Sequence, residues 1–431
     1  MKNLPALTLS EDFIYALDRM EAGANLFITG RAGTGKSTLL RLFRQTTKRK
    51  TVVLAPTGVA ALNVGGQTIH SFFGFPPRLL QPKDIRVNRR YRRLYENMET
   101  LVIDEISMVR ADILDGVDQA LKINRSDPRP FGGVQVIFFG DLYQLPPVVS
   151  SPAERQYFTE AYASAYFFAS RCVDDIELEM IELEQVYRQE NRRFLRLLEN
   201  IRNATIDQDD LDELNERHLP NFEPLGEPYL TLAARNAKVN TINQRELNAN
   251  HNPVHTYLAE VKGNFPERLY PAEAALQLKE GSQVMTIRND SEKRFVNGTI
   301  GKILKCGRDT VTIEVEKGET TVEIEIAYEE WEIVRYTTAA DDPTKIGTES
   351  VGTYKQLPLR LAWAVTIHKA QGKTFDKVII DLGRGAFEHG QTYVALSRCR
   401  TLGGIVLRQA LTPRDVMVDP QVVEFYQMMR M

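Results

Sequence analysis

Residues 25–43, NLFITGRAGTGKSTLLRLF, combine an apolar run, a glycine-rich turn and the start of a helix. The apolar run 25–29 is typical of a strand buried in a parallel sheet, and GRAGTGKS at 30–37 is a P-loop pattern. Its glycines let backbone N–H groups surround a polyphosphate, and the following helix directs its positive end at the same charge. The flanking strand and helix disfavour an ordinary turn, so we predict a nucleoside triphosphate site. Lys36 would reach the β- and γ-phosphates, and Ser37 would bind Mg²⁺.

The whole chain has the composition of a globular protein with more than one domain. Its 431 residues are 43 % hydrophobic and 26 % charged. Cys172, Cys306 and Cys399 follow no metal or disulfide spacing, which suits a reducing compartment. The first residues, MKNLPALTLSEDF, lack the pattern of a signal or transit peptide, and no apolar run is long enough to span a membrane. We expect a cytoplasmic protein without membrane attachment, associated with the nucleoid if the source is prokaryotic.

The net charge of the chain does not exclude a nucleic-acid partner. The formal charge of −3 argues against such a partner when taken alone, because phosphate binding depends on clustered Lys and Arg. However, residues 171–230 are acidic, whereas 83–93 and 355–408 carry an excess of Lys and Arg. Basic patches can therefore bind polynucleotide despite the acidic total.

Strands alternate with helices in the first half of the chain, which predicts a doubly wound parallel α/β sheet with its ligand site at the carboxyl ends of the strands. Asp104 and Glu105 close the apolar strand 100–103, where one carboxylate can bind Mg²⁺ and the next can polarise a water. Gln144 follows another apolar strand and can contact the γ-phosphate or the water. Thr57 also follows a strand, but an ordinary turn is the favoured interpretation of that segment taken alone.

Several other segments allow two interpretations. Phe72, Phe73 and Phe75 form either a stacking surface for bases or a local apolar plug. Residues 78–95 are basic and contain tyrosines, so they form either a solvated face or a nucleic-acid contact. Residues 10–22 predict an amphipathic helix with Phe13, Ile14 and Leu17 on its apolar face.

The second half of the chain changes pattern twice. Residues 257–354 alternate with a period of two and contain an Asn297-Gly298 turn, which predicts a small antiparallel barrel or sheet. The chain then returns to α/β. Thr366, His368, Lys369 and Gln371 crowd the start of a helix after an apolar strand, which is better explained by phosphate contacts than by four unrelated structural roles.

Together these segments resemble superfamily 1 helicases, in the 5′-to-3′ branch that contains the petite-integration-frequency helicases, with RecD-like and Dda-like helicases as more distant relatives. PFGGVQVIFFGDLYQLPPV at 130–148 is the most discriminating match. The resemblance covers nearly the whole chain and includes seven helicase motifs in order: GRAGTGKS (30–37), APTGVAA with TIHSFFGF (55–75), VIDEISM (102–108), GDLYQLPP (140–147), VYRQ (186–189), WAVTIHKAQGKTFDKVIID (363–381) and YVALSRCR (393–400).

The resemblance implies two RecA-like P-loop domains with ATP between them. The implied boundaries are domain 1A at 1–170 with a small wedge, 1B, at about 76–97; domain 2A at 171–256 plus 355–431; and an SH3-like β insertion, 2B, at 257–354. It also implies a 5′-to-3′ ATP-dependent DNA helicase acting on single-stranded DNA and single-strand/duplex junctions. We expect a monomer in solution that can self-associate on DNA. The candidate structured substrates are forks, RNA–DNA hybrids and G-quadruplexes.

The resemblance also implies roles for individual residues. Glu105 is the catalytic base, Asp104 and Ser37 bind Mg²⁺, and Arg188 and Arg398 are arginine fingers from the second domain. This chain has SEDF at 10–13, where relatives often place a glutamine beside adenine. The implied ATP contacts are Gly30, Ala32, Gly33, Thr34, Gly35, Lys36, Ser37, Thr38, Gln144, Arg188, Gly372 and Arg398. The implied DNA contacts are Thr57, Gly58, His70, Phe73, Asn297, Thr366, His368 and Lys369.

Two rival functions share the P-loop. A nucleotide-dependent switch or clamp would bind DNA without separating its strands, but such a switch has no use for two arginines and a DNA-facing segment in the second domain. A small-molecule kinase would need an acceptor pocket and a lid, which the sequence does not indicate.

Overall fold

The computed structural model describes residues 10–89, 91–149, 151–189, 191–224, 226–290, 292–317, 320–338, 342 and 345–430. The N-terminal region runs through α1 (Glu11–Ala22), β1 (Asn25–Gly30), α2 (Lys36–Thr46), β2 (Thr51–Ala55), α3 (Gly58–Val64), β3 (Gln67–Thr68), α4 (Ile69–Phe73), α5 (Arg92–Asn97), β4 (Thr100–Ile103), α6 (Ala111–Arg125), β5 (Gln135–Phe139), α7 (Pro152–Ala161), α8 (Arg171–Asp174) and β6 (Leu178–Leu183).

The middle of the chain contains a short α/β stretch and then the β insertion. The α/β elements are α9 (Arg192–Asn203), α10 (Gln208–Asn215), β7 (Leu230–Ala233) and α11 (Asn236–Ala249). The strands that follow are β8 (His255–Leu258), β9 (Glu260–Gly263), β10 (Ala275–Leu278), β11 (Gln283–Thr286), β12 (Ile300–Cys306), β13 (Thr310–Lys317), β14 (Thr320–Ala327), β15 (Glu329–Thr338), β16 (Ile346–Gln356) and β17 (Leu359–Leu361).

The C-terminal region returns to α/β structure. Its elements are β18 (Ala364–Thr366), α12 (Ile367–Ala370), β19 (Val378–Asp381), α13 (Gln391–Leu396), β20 (Ile405–Leu407) and α14 (Pro420–Met429). None of the helices in the described part of the chain is both long and apolar enough to cross a membrane.

Two parallel sheets form the α/β bodies, as predicted. The first has the strand order β3-β2-β4-β5-β1-β6, and the second has the order β18-β7-β19-β20. Leu26, Phe27 and Ile28 of β1 are fully buried, because helices cover both faces of the first sheet. The insertion consists of antiparallel sheets, ordered β14-β13-β12-β11-β17, β15-β16-β9 and β10-β8.

The structure moves three of the expected domain boundaries. Strand β6 lies beyond residue 170 but pairs with β1 along six residues, so it completes the first sheet. Helix α14 also packs on the first domain, where Phe425 and Tyr426 contact the ring of Phe27. Strand β17 extends the insertion past residue 354 by pairing with β11. Each segment buries apolar surface on a distant neighbour, which sequence order alone does not reveal.

The first helix shows a smaller difference. Gly23 ends α1 with φ 87°, as the sequence indicates. Phe13 is buried on the sheet, but Ile14 is 49 % exposed, and Ala16 and Met20 occupy the rest of the buried face. The prediction for Ile14 is therefore wrong, because the buried stripe lies one residue away from the expected one.

Candidate active site

A cavity of about 660 Å³ lies between the two parallel sheets. Gly30 and Thr34, two of the predicted nucleotide contacts, are not on its surface. Thr34 is fully buried and its hydroxyl donates to the Arg31 carbonyl, so it supports the P-loop from behind. The predicted residues that line the cavity are Ala32, Gly33, Gly35, Lys36, Ser37, Thr38, Asp104, Glu105, Gln144, Arg188, Gly372 and Arg398.

The P-loop requires its glycines for two separate reasons. Gly33 and Gly35 have φ values of 90° and 89°, which residues with a side chain rarely adopt. A Cβ on Gly33 would also lie 2.6 Å from Cβ of Arg188. Lys36 Nζ donates to the carbonyls of Gly30 at 2.6 Å and Arg31 at 3.1 Å, which holds the loop as a closed ring at the start of α2.

Asp104 and Glu105 follow β4 and face the same cavity as Lys36. Burial, with the neighbouring Glu105 charge, raises the pKa of Asp104 to about 7, and burial raises the pKa of Glu105. A divalent cation would relieve this destabilisation, and Ser37 and Asp104 are the side chains that could hold one. No group of three His, Cys, Asp or Glu residues arranged for a metal occurs among the described residues. Phosphate oxygens and water would therefore complete the coordination of Mg²⁺.

Two arginines bring positive charge to the other side of the cavity. Burial lowers the pKa of Arg188 to about 9 and that of Arg398 to about 10, which is unfavourable unless an anion is bound. Neither forms a salt bridge with any carboxylate in the described part of the chain. Arg398 is held by the Val394 carbonyl at 2.9 Å and the Ser397 hydroxyl at 2.7 Å. Arg188 donates to the Ser397 carbonyl at 3.2 Å, so one loop fixes both guanidinium groups.

Three residues lie in the cleft without having been predicted there from the sequence. Gln371 Nε2 lies 3.3 Å from Glu105 Oε2 and 3.3 Å from Gln144 Oε1, so it connects the two domains beside Glu105. The phosphate contact expected for it stays a prediction. Thr374 and Arg400 also line the cavity. Their proximity to Gly372 and Arg398 in the sequence was the available signal.

An aromatic pair stands at the cavity wall beside the SEDF segment. A Cβ on Gly35 would lie 2.8 Å from the ring of Phe13 and 3.8 Å from that of Tyr187. Tyr187 is half exposed, whereas Phe13 is buried. These rings offer an apolar surface next to the phosphate loop, which the sequence did not assign.

The predicted DNA contacts lie at the carboxyl ends of β2 and β18. The Thr57 hydroxyl accepts from the Ala60 amide, and the Thr366 hydroxyl accepts from the Lys369 amide, so each caps a short helix. His368 Nε2 lies 3.2 Å from Glu388. Burial lowers the pKa of Lys369.

The remaining predicted DNA contacts have different surroundings. Burial, with a smaller effect from Arg110, lowers the pKa of His70. The Phe73 ring stacks on Phe75 at 5.3 Å and on Tyr95 at 5.9 Å, so the phenylalanine cluster forms the local apolar plug. The backbone N–H of Asn297 donates to Asn289 Oδ1 in a loop of the insertion.

The insertion covers part of the edge on which DNA contacts are predicted. A Cβ on Gly58 would lie 2.3 Å from Leu269 Cδ2, and Arg360 donates to the Pro271 carbonyl at 3.0 Å. Residues 265–272 of the insertion, which we call the covering segment, thus lie against the first α/β body and are joined to β17 within the insertion. Strand β15 adds a further contact, because the Val53 amide donates to the Tyr336 hydroxyl at 3.1 Å.

Two parallel sheets that face one cleft, with a P-loop on the first and two arginines fixed by the second, define a two-domain, RecA-like P-loop protein of the helicase class. The profile of the PIF1-like helicase family matches residues 11–212, and that of the viral superfamily 1 RNA helicase core domain matches 297–406. The chain is 32 % identical over 435 residues to the ATP-dependent DNA helicase Pif1 of Bdellovibrio bacteriovorus, covering 97 % of this chain and 92 % of that protein. It therefore belongs to the Pif1-like helicase family.

Other relatives extend beyond this chain. The ATP-dependent DNA helicase PIF1 of Homo sapiens is 34 % identical over 436 residues, which cover 98 % of this chain but 64 % of the human protein. The chain thus spans somewhat less than two thirds of that relative.

Solved structures give the same assignment. Unliganded Pif1 from a Bacteroides species matches with a TM-score of 0.89 and 36 % identity, and its complex with ADP-AlF4 matches with 0.90 and 35 %. A structure described as DNA unwinding at forked duplex DNA by two coordinating Pif1 helicases matches with 0.70 and 35 %. In all three, the match covers 98 % of this chain and 97 % of the solved chain.

Proposed function

We propose that this chain is an ATP-dependent DNA helicase that moves 5′ to 3′ along single-stranded DNA and separates duplex or structured DNA. One observation carries the proposal: the cleft between the sheets joins Lys36 and Glu105 of the first domain to Arg398 of the second. A cleft of this kind is complete only while the two domains are together. Hydrolysis can therefore drive domain motion along a bound strand.

The residues of the cleft have complementary tasks in ATP hydrolysis. The P-loop amides and Lys36 bind the β- and γ-phosphates. Mg²⁺ held by Ser37 and Asp104 would neutralise phosphate charge. Glu105 accepts a proton from the attacking water, and Gln144 orients that water or the γ-phosphate. Arg188 and Arg398 offset the negative charge that develops on the transferred group.

Single-stranded DNA would lie across the carboxyl ends of β2 and β18. Thr57, Gly58 and His70 are the contacts on the first domain, and Thr366, His368 and Lys369 are those on the second. Binding there requires the covering segment to leave Gly58. The unliganded Bacteroides structure matches this chain with a higher TM-score than the forked-DNA structure does, 0.89 against 0.70, which supports a rearrangement of the bodies on DNA.

Forked DNA is the substrate we propose first, with RNA–DNA hybrids and G-quadruplexes as further candidates. The protein would be a monomer in solution. On a fork, a second copy would bind beside the first, and the two would act together. Its place of action would be chromosomal DNA in the cytoplasm, associated with the nucleoid if the source is prokaryotic.

Strand displacement on paired 5′-tailed and 3′-tailed duplexes tests activity and direction together. We expect ATP- and Mg²⁺-dependent unwinding of the 5′-tailed substrate, abolished by EDTA and by Glu105→Gln. Opening of the 3′-tailed duplex alone would reverse the direction. DNA-stimulated hydrolysis without strand separation on any tailed or forked substrate would instead identify the nucleotide-dependent clamp.

A further inference from the structure

A buried ion pair outside the cleft joins the two domains behind Gln144. Asp141 follows β5 of the first domain and is 1 % exposed, and Arg202 lies in the last turn of α9 and is 3 % exposed. Arg202 donates to Asp141 Oδ1 at 3.0 Å. The guanidinium carbon also lies 4.3 Å from the centre of the Tyr143 ring. The two charges are thus paired away from water, where loss of one partner is strongly destabilising to the other.

The second oxygen of Asp141 reaches the active site. Gln144 Nε2 donates to Asp141 Oδ2 at 3.1 Å. An ionised carboxylate only accepts hydrogen bonds, so the group facing it must be the NH₂ of the Gln144 amide. Gln144 Oε1 is consequently turned toward Gln371 Nε2 at 3.3 Å, next to Glu105. The orientation of the proposed γ-phosphate contact therefore depends on where the Asp141 carboxylate is held.

We infer that Arg202 is a positioning residue for ATP hydrolysis: by holding the Asp141 carboxylate through Oδ1, it fixes the Gln144 amide with its NH₂ toward Oδ2 and ties that orientation to helix α9 of the second domain. Without the guanidinium, the Asp141 side chain loses the partner that holds Oδ1 in place, so Oδ2 no longer fixes the Gln144 amide. The inference rests on the proposed ATPase function and extends it to a residue that does not line the cleft.

The surroundings of Arg202 support an electrostatic role over a packing role. Although burial acts to lower it, the charge of Asp141, with smaller effects from Tyr393, Tyr426 and Glu182, raises the pKa of Arg202. Tyr426 of α14 stacks on Tyr143 at 4.9 Å and shares a hydrogen bond with Thr29 at the end of β1. First-domain side chains therefore enclose the ion pair, while Arg202 itself comes from α9 of the second domain, so the pair spans the domain boundary.

A double-mutant cycle between Arg202 and Gln144 tests the inference. We expect Arg202→Met to lower kcat of DNA-stimulated ATP hydrolysis by ~10-fold or more while KM for ATP changes less than ~3-fold, because misorientation of a contact made in the transition state affects kcat. In a Gln144→Ala background, Arg202→Met should lower kcat less than ~2-fold further, because the side chain that Arg202 orients is gone. Arg202→Lys should recover part of the rate.

Arg196→Met is the matched control, because Arg196 lies on the same helix but pairs with Asp210 and Glu213 within the second domain. Arg196→Met should leave kcat and KM for ATP within ~2-fold of the wild-type values. Asp141→Asn, which nearly keeps the shape of the side chain, repeats the cycle if Arg202→Met does not give folded protein. The inference would be overturned if the Arg202 and Gln144 substitutions lowered kcat independently, so that their effects multiply. It would also be overturned if kcat were unchanged in both Arg202→Met and Asp141→Asn. Absence of hydrolysis by the wild-type protein would instead overturn the proposed function.

Discussion

The nucleotide cleft and the edge proposed to face DNA are both built from loops at the carboxyl ends of parallel strands. They differ in whether protein groups already occupy the binding surface. In the cleft, Arg188 and Arg398 face a cavity with no carboxylate partner among the described residues. At the edge, the hydroxyls of Thr57 and Thr366 cap helices, and Leu269 lies over Gly58. Nucleotide can therefore enter a formed site, whereas DNA on the proposed path would first have to displace protein contacts. Substitutions in the cleft should change kcat, and those at the edge should change DNA affinity.

The largest expected effect is that of Arg398→Ala. Removing a guanidinium that offsets transition-state charge should lower kcat of ATP hydrolysis by ~10³-fold or more, and Arg188→Ala should act similarly. Affinity for DNA without nucleotide should stay within a few-fold. Arg398→Lys should restore little, since Lys lacks the planar fork. Arg414→Ala, an exposed arginine on the same domain, is the control. Abolished DNA binding with intact hydrolysis would assign Arg398 to the edge.

Glu105→Gln should have the next largest effect. Loss of the general base is expected to lower kcat by ~10²–10⁴-fold while ATP binding, measured by equilibrium titration, is retained. Glu424→Gln on the exposed face of α14 is the control. Turnover within a few-fold of the wild type would remove Glu105 from this role.

His368→Ala combined with Lys369→Ala should act on the edge alone. We expect the DNA concentration for half-maximal ATPase to rise ~10-fold. The slope of log affinity against log salt should become shallower by about 0.7 for each phosphate that the variant no longer neutralises. Titration of ATPase activity with a single-stranded homopolymer measures the first quantity, and binding titrations of the same homopolymer at several salt concentrations measure the second. An unchanged slope with altered kcat would mean that these residues belong to the cleft.

Leu269→Ala should strengthen DNA binding, in contrast to the other substitutions. Shortening this side chain weakens the covering segment over Gly58 and should tighten binding of single-stranded DNA by ~3-fold to ~10-fold, since the closed arrangement competes with DNA. Leu304→Ala, a 37 % exposed leucine elsewhere on the insertion, should have no such effect. Weaker binding by Leu269→Ala would show that Leu269 itself contacts DNA.

The smallest expected effect is a pH dependence of stability in EDTA without nucleotide. The folded-state pKa of Asp104 is raised to about 7, above that of the unfolded chain, so its ionisation destabilises the fold as pH rises from about 4 to about 7. Asp104→Asn lacks this dependence. The difference in Tm, variant minus wild type, should therefore grow by a few degrees as pH rises from about 4 to about 7. Mg²⁺ with a non-hydrolysable nucleotide should reduce the difference, and a constant difference across the range would exclude this titration.

Most of the chemistry of the cleft could be predicted because it is carried by short local patterns. A strand that ends in a glycine loop, or in two carboxylates, places these groups at one sheet edge whatever the rest of the chain does. That logic located Lys36, Asp104, Glu105 and Gln144, and the family resemblance added Arg188 and Arg398. The same patterns singled out Gln371 but did not place it beside Glu105, because that contact joins residues 266 positions apart.

The sequence by itself determined the fold class, the order of strands and helices, and the residues that face a polyphosphate, since these follow from periodicity and from the backbone geometry of the P-loop. Only the tertiary structure decided that β6 and α14 complete the first domain, that Leu269 covers Gly58, and that Asp141 pairs with Arg202. Each of these is a contact between segments far apart in the chain. Such contacts are selected by which apolar surfaces and buried charges remain to be covered once the local elements have formed.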